Sequence, residues 1–116
     1  MLLSALLITA LGTGFAYAYD SPYMMAGGKG DKAKGKKVYD KNCATCHGAA
    51  GKGDGPASKS LNPKPADFSK GALKYSKNDA EMLAFIKKGK GAMPSWKSLP
   101  EQDLLNVIAY VRSLKK

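Results

Sequence analysis

Both cysteines of the chain and its single histidine lie within five residues, 43–47 (CATCH). Two thiols at this spacing are compatible with a redox-active dithiol, with part of a metal site or with covalent attachment of a haem. A thioredoxin-like dithiol lies in a βαβ pattern, and no such strands are apparent in the sequence. A structural zinc site generally has four ligands, whereas this chain has three cysteine and histidine residues in total.

A histidine directly after the second cysteine completes the motif C-x-x-C-H, which is typical of c-type haem attachment. One turn of backbone can present Cys43 and Cys46 to the two vinyl groups of a haem, and each thiol then forms a thioether. His47 follows at once, so that its Nε2 can bind the iron. The sequence therefore predicts one covalently attached haem c with His47 as an axial ligand.

Met93 is the predicted second axial ligand. The chain has no second histidine, and its other four methionines fall at the start, in the segment before the first helix or on a buried helix face: Met1, Met24, Met25 and Met82. Met93 lies in the loop 91–96 (GAMPSW), whose glycine and proline favour a non-helical backbone. A thioether ligand stabilises Fe(II) and raises the reduction potential above that of bis-histidine iron.

Two further residues are predicted to act at the haem. A ligating imidazole usually donates its Nδ1–H to a carbonyl, and Pro56, at the end of the glycine-rich run, is the predicted acceptor. The alternative is that Pro56 only shapes the turn. Trp96 is the predicted donor to a haem propionate through its Nε1–H, with Lys52 as a weaker candidate and plain packing of Trp96 as the alternative.

The first residues predict export. Residues 2–18 carry no charge and end in Ala-Tyr-Ala, which is typical of a secretory signal cleaved after Ala18. No lysine or arginine precedes the apolar run, which departs from that pattern, and the alternative is a retained membrane anchor. Either way, the rest of the chain is expected outside the cytoplasm, in a bacterium the periplasm. Residues 19–30 are expected to form a flexible leader and residues 31–116 one domain.

The formal net charge of +10 comes almost wholly from lysine, since Arg112 is the only arginine. Lysine-rich surfaces suit acidic protein partners or anionic membranes. Nucleic acid is disfavoured as a partner because export is expected and an arginine-rich face is missing.

The local pattern predicts an all-α fold, because no segment alternates as a strand does. The predicted elements are a helix over 31–43 with Asp31 as its N-cap, a mostly irregular segment over 48–74, a helix that starts with a capping motif at Ser76 and ends at about Lys88 before Gly89, and a helix over about 100–115 capped from Ser98.

Residues 31–115 resemble the class I c-type cytochromes, small monohaem electron carriers. The specific parts are 43–47 and 91–96, and residues 61–71 (LNPKPADFSKG) are similar to a stretch found in bacterial periplasmic members. The resemblance implies the cytochrome c fold, with three to five helices around one covalently bound haem. It also implies that the N- and C-terminal helices cross, and the residues that carry this expectation are Gly35, Tyr39, Val107 and Tyr110.

The expected function is one-electron transfer between respiratory proteins rather than catalysis, because His47 and Met93 would leave no open position on the iron. Lysines around an exposed haem edge would steer the carrier onto acidic faces of its redox partners: Lys41, Lys52, Lys90 and Lys97. One alternative is a haem subunit of a larger respiratory or dehydrogenase complex, tethered through residues 1–18. Another is an enzyme or gas sensor with five-coordinate iron.

Overall fold

Helices make up almost all regular structure in the computed structural model, which describes residues 30–71, 73 and 76–116. The α-helices are α1 (Lys32–Asn42), α2 (Ala44–His47), α3 (Asp79–Lys88) and α4 (Glu101–Ser113), and short 3-10 helices span Pro56–Ser60 and Phe68–Lys70. Within these residues the β-type pairing is confined to an isolated bridge between Lys90 and Met93. The all-α prediction is confirmed.

The predicted signal or anchor (1–18) and all of the predicted leader except Gly30 lie outside the described residues. In the part of the chain that the structure describes, no helix is both long and apolar enough to cross a bilayer.

The start of α1 is held by its own N-cap and by α4. The Asp31 carboxylate accepts a hydrogen bond from the Lys34 backbone N–H at 2.9 Å, as predicted. The Asp31 N–H in turn donates to Oδ1 of Asn106 at 2.7 Å, and this oxygen also accepts from the Gln102 amide at 3.1 Å. Asn106 is buried, so a polar side chain of α4 fixes where α1 begins.

α1 and α4 pack closely at a glycine. A Cβ atom on Gly35 would lie 1.8 Å from the Asn106 carbonyl oxygen, so the approach requires glycine. One turn later, the fully buried Tyr39 ring contacts the Tyr110 ring edge to face, with centroids 5.0 Å apart. The predicted contact between the first and last helices is confirmed.

The N-cap of α3 is Asn78 rather than Ser76. The Asn78 side chain accepts from the Glu81 N–H at 2.8 Å, and the Glu81 carboxylate accepts from the Lys77 N–H at 2.7 Å. The capping motif is therefore present but two residues later than predicted, and Ser76 is instead buried against the core. Gly89, with φ of 71°, ends the helix as predicted.

α4 begins without the predicted cap at Ser98. Pro100 occupies the N-cap position with no side-chain hydrogen bond, and its carbonyl accepts from the Asp103 and Leu104 N–H groups. Proline suits this boundary because its missing N–H costs nothing there. Ion pairs Lys87–Glu101 and Asp79–Arg112 connect α3 to α4 on the surface.

Candidate haem site

The CATCH motif forms a single helical turn, α2, directly after α1. The N–H groups of Cys46 and His47 both donate to the Cys43 carbonyl, at 3.2 and 2.9 Å. Gly48 ends the turn with φ of 84°, a conformation that favours glycine. Its carbonyl accepts from the buried Tyr39 hydroxyl at 2.7 Å, so the α1–α4 contact also fixes the end of the motif.

A cavity of about 350 Å³ lies beside α2, within the size range of ligand and cofactor sites. Every predicted haem-binding residue except Pro56 lines it: Cys43, Cys46, His47, Met93 and Trp96. Much of the remaining wall is apolar and comes from all three longer helices, including Val38, Met82, Ile86, Leu104 and Val107. The fold thus brings the two separate sequence motifs to one apolar space.

Both cysteines are free and half-buried. Burial raises the pKa of the Cys43 thiol to about 11, and the neighbouring Cys46 adds to this effect. Cys43 is therefore a protonated thiol at neutral pH. Two free thiols on the wall of an apolar cavity fit thioether formation with the vinyl groups of a haem.

The His47 imidazole has contacts on two sides. Its Nδ1 lies 3.4 Å from the Ala66 carbonyl oxygen, and its ring stacks on Phe68 with centroids 4.6 Å apart and an angle of 21°. Burial lowers the pKa of His47, against the opposing effect of the Ala66 carbonyl, so the neutral imidazole is favoured. With Nδ1–H as the donor, Nε2 keeps the lone pair that a metal ligand needs.

The structure corrects the predicted partner of Nδ1 from Pro56 to Ala66. The glycine-rich run folds back on α2. The Gly53 N–H donates to the His47 carbonyl at 2.8 Å, and the Gly55 N–H donates to the Cys46 carbonyl at 3.2 Å. Pro56, which is itself exposed, then begins a 3-10 helix and does not line the cavity. This arrangement fits the alternative given for Pro56, which is that it only shapes the turn.

Ala66 and Phe68 are the site residues that the sequence did not single out. Both fall in the stretch 61–71, where Pro63 and Pro65 lack N–H donors and favour extended backbone. The sequence feature that could have indicated these two residues is the proline-restrained extended segment, because its backbone carbonyls can accept hydrogen bonds from a neighbouring side chain. Its direction in space is set by a distant contact, since the Phe68 N–H donates to the Gly51 carbonyl at 2.6 Å.

Met93 lies in a tight turn that follows α3. Lys90 and Met93 exchange two backbone hydrogen bonds, at 2.9 and 3.0 Å, and Gly91 between them adopts φ of 58°. The backbone N–H of Trp96 donates to the Ile86 carbonyl at 3.1 Å, which ties the loop to α3. A soft thioether on a fixed loop, together with the thiols and the imidazole, fits a covalently held haem.

Among the described residues, the charged side chains that line the cavity are Lys64 and Lys90, and no carboxylate lines it. Lys90 was among the four lysines predicted to surround the haem edge. The other three are exposed but do not line the cavity: Lys41, Lys52 and Lys97. Lys52, the weaker candidate for a propionate, is thus absent from the cavity wall, whereas Lys64, which was not among the predicted residues, lies on it.

Comparisons with known proteins identify c-type cytochromes as relatives of this chain. A family model described as cytochrome C oxidase, cbb3-type, subunit III, matches residues 30–111. Cytochrome c-554(547) of Halothiobacillus neapolitanus is 34% identical over 97 aligned positions, and the match covers 74% of this chain and 99% of that protein. Among solved structures, a chain of the Kuenenia stuttgartiensis reducing HAO-like protein complex is 34% identical to this chain, with a TM-score of 0.70. The match covers 76% of this chain and 44% of the chain in the complex. Cytochrome c6 of the diatom Phaeodactylum tricornutum is 29% identical with a TM-score of 0.56, covering 72% and 93%.

Proposed function

The chain belongs to the c-type cytochrome family and is an electron carrier with one covalently attached haem c, and from this premise we propose that His47 and Met93 are the two axial ligands of its iron. The observation that supports the proposal is the shared cavity, whose lining includes both cysteines, the imidazole and the thioether. When bound, the haem supplies an Fe(II)/Fe(III) couple that takes up and releases one electron.

The roles of the side chains follow from their chemistry. Cys43 and Cys46 hold the group covalently, so that it is not lost between encounters with partners. His47 supplies a neutral nitrogen and Met93 a thioether that favours Fe(II). Both ligands come from restrained backbone, the α2 turn and the bridged loop, so we expect little rearrangement when the charge on the iron changes. With two protein ligands, no position is open for a substrate, which favours a carrier over an enzyme.

The ligand proposal is tested by Met93→Ala in the haem-loaded protein. We expect the weak long-wavelength absorption band of methionine-ligated ferric haem to disappear and the reduction potential to fall, because a soft ligand that favours Fe(II) is lost. Met82→Leu is the matched control, since it removes a second methionine from the same cavity wall with little change in volume. An unchanged spectrum in the Met93 variant would overturn the assignment.

We also propose that the partners are redox proteins with acidic faces, and that they dock at the cavity edge marked by Lys64 and Lys90. The cationic lining without carboxylates among the described residues supports this, as does the net charge of +10. Charge complementarity of this kind raises association rates and weakens with salt.

The proposed location is outside the cytoplasm, in the periplasm of a bacterium. The uncharged run 2–18 and its Ala-Tyr-Ala end support a cleaved signal. The second candidate is a haem subunit tethered through this run to a respiratory complex, and the oxidase-subunit description of the family model favours it. The mass of the mature protein distinguishes them, because a chain that begins at Tyr19 supports the free carrier and an intact N-terminus supports the tether.

A further inference from the structure

The His47 ring is restrained more by its contact with Phe68 than by its hydrogen bond. The Nδ1 to Ala66 oxygen distance of 3.4 Å is beyond the usual range for an N–H···O bond, so this bond alone is a weak restraint on the ring. The Phe68 ring, by contrast, lies nearly parallel to the imidazole at a centroid distance of 4.6 Å, at the near end of the range for aromatic pairs.

Phe68 is itself firmly placed. Its side chain is 9% exposed, and its backbone N–H donates to the Gly51 carbonyl at 2.6 Å. Gly51 adopts φ of 71°, and a Cβ atom there would lie 3.3 Å from the Phe68 ring and 2.6 Å from the Leu114 side chain. The Asp67 carboxylate caps the 3-10 helix that begins at Phe68, accepting from the Ser69 N–H at 3.0 Å. The ring is therefore enclosed between the glycine-rich loop and the end of α4.

We propose that Phe68 is the positioning residue for His47: by stacking on the imidazole it fixes the plane of that ring about the axis to the iron. The inference rests on the proposed ligation by His47. Ring orientation matters because the imidazole plane decides which iron d orbital it overlaps, and therefore how unpaired spin spreads over the four sides of the haem. A fixed imidazole plane also keeps Nδ1 directed at the Ala66 carbonyl, 3.4 Å away.

The test uses the haem-loaded ferric protein with Phe68→Leu and Phe68→Met, which fill space without a ring. Proton NMR measures the spread of the four haem methyl shifts, which depends on the imidazole plane as well as on Met93, and the exchange rate of the His47 Nδ1–H, which reports the histidine alone. We expect both variants to change the methyl pattern, and the exchange to become about two- to tenfold faster as the stacking is lost. Phe68→Tyr keeps the ring and is expected to retain the wild-type pattern.

Ile108→Val is the control, because it shortens a buried side chain that does not line the cavity and is expected to leave both His47 readouts unchanged. Wild-type readouts in both Phe68→Leu and Phe68→Met would overturn the inference, and so would a change in Phe68→Tyr as large as in Phe68→Leu. A wild-type protein that is not low-spin would instead contradict the ligation itself, so the two failures are distinguishable.

Discussion

Individual residues of the site differ in how far local sequence specifies them. Cys43, Cys46 and His47 could be predicted because their chemistry depends on neighbours in the chain. Met93 could be predicted to lie near the site because its loop is marked by glycine and proline. Ala66 could not, because its contact with His47 depends on the path of a proline-rich segment that only tertiary packing determines.

The two thiols are expected to be separately sufficient to retain the haem. In Cys43→Ser the thioether at Cys46 remains, and in Cys46→Ser the one at Cys43 remains, so each single variant should keep haem covalently after denaturation. The double variant should lose it. Haem staining of denaturing gels together with intact mass is the measurement. Loss of all covalent haem in either single variant would show that the two thiols are not independent attachment points.

At the scale of elements, the three longer helices and their order could be predicted from helix start and stop signals, and the α1–α4 contact from the family resemblance that Gly35 and Tyr39 carry. The N-caps of α3 and α4 could not be predicted. Ser76 and Asn78 are both good capping residues, so local sequence does not choose between them, and the burial of Ser76 against the core decides.

Gly35→Ala is expected to destabilise the protein although alanine is the better helix former. In an open helix the change would stabilise by about 0.5–1 kcal/mol. Here the new Cβ would meet the Asn106 carbonyl at 1.8 Å and force α1 away from α4. Overpacking of this kind costs about 1–3 kcal/mol, measurable by denaturant unfolding of the haem-loaded protein.

The exposed Lys37 on the same helix provides the control, since Lys37→Ala should change the free energy of unfolding by less than about 0.5 kcal/mol. A Gly35→Ala protein as stable as the wild type, or more stable, would mean that the two helices do not pack as described.

The N-cap of α1 predicts a pH dependence. The Lys34 N–H lowers the pKa of Asp31 below its ordinary value of 3.8. Because the pKa is lower in the folded protein, the ionised cap stabilises α1 above that value, and its contribution is lost as the pH falls through the folded-state pKa. Asp31→Ala should lower Tm at pH 7, whereas Asp31→Asn should retain most of the cap.

The measurement is thermal unfolding of the three proteins between pH 7 and acid. The advantage of the wild type over Asp31→Asn should shrink as the carboxylate is protonated. A difference that does not vary with pH would exclude an ionised cap at this position.

At the scale of the whole molecule, the sign of the charge could be predicted from composition but its placement could not. Of the lysines expected around the haem edge, Lys90 lines the cavity, while Lys64 was missed because it lies between two prolines in a segment without periodicity. Composition gives the number and sign of the charges, but the fold determines which of them lie on the same surface.

Reversing both cavity lysines tests the proposed docking edge. Lys64→Glu with Lys90→Glu is expected to slow oxidation by the anion ferricyanide by about tenfold at low salt, because the local positive potential is lost. The control is Lys32→Glu with Lys37→Glu, which changes the net charge equally on exposed α1 positions that do not line the cavity. Stopped-flow rates should converge at high salt. If both double variants are oxidised equally slowly, the cause is the lower net charge and the proposed docking edge is contradicted.

The most direct test of the account is a potentiometric titration of the haem-loaded protein followed by visible absorption. A carrier with His47 and Met93 on its iron should give one reversible one-electron transition, with low-spin spectra in the oxidised and the reduced state alike. A high-spin spectrum in either state would reveal an open axial position and contradict the central claim.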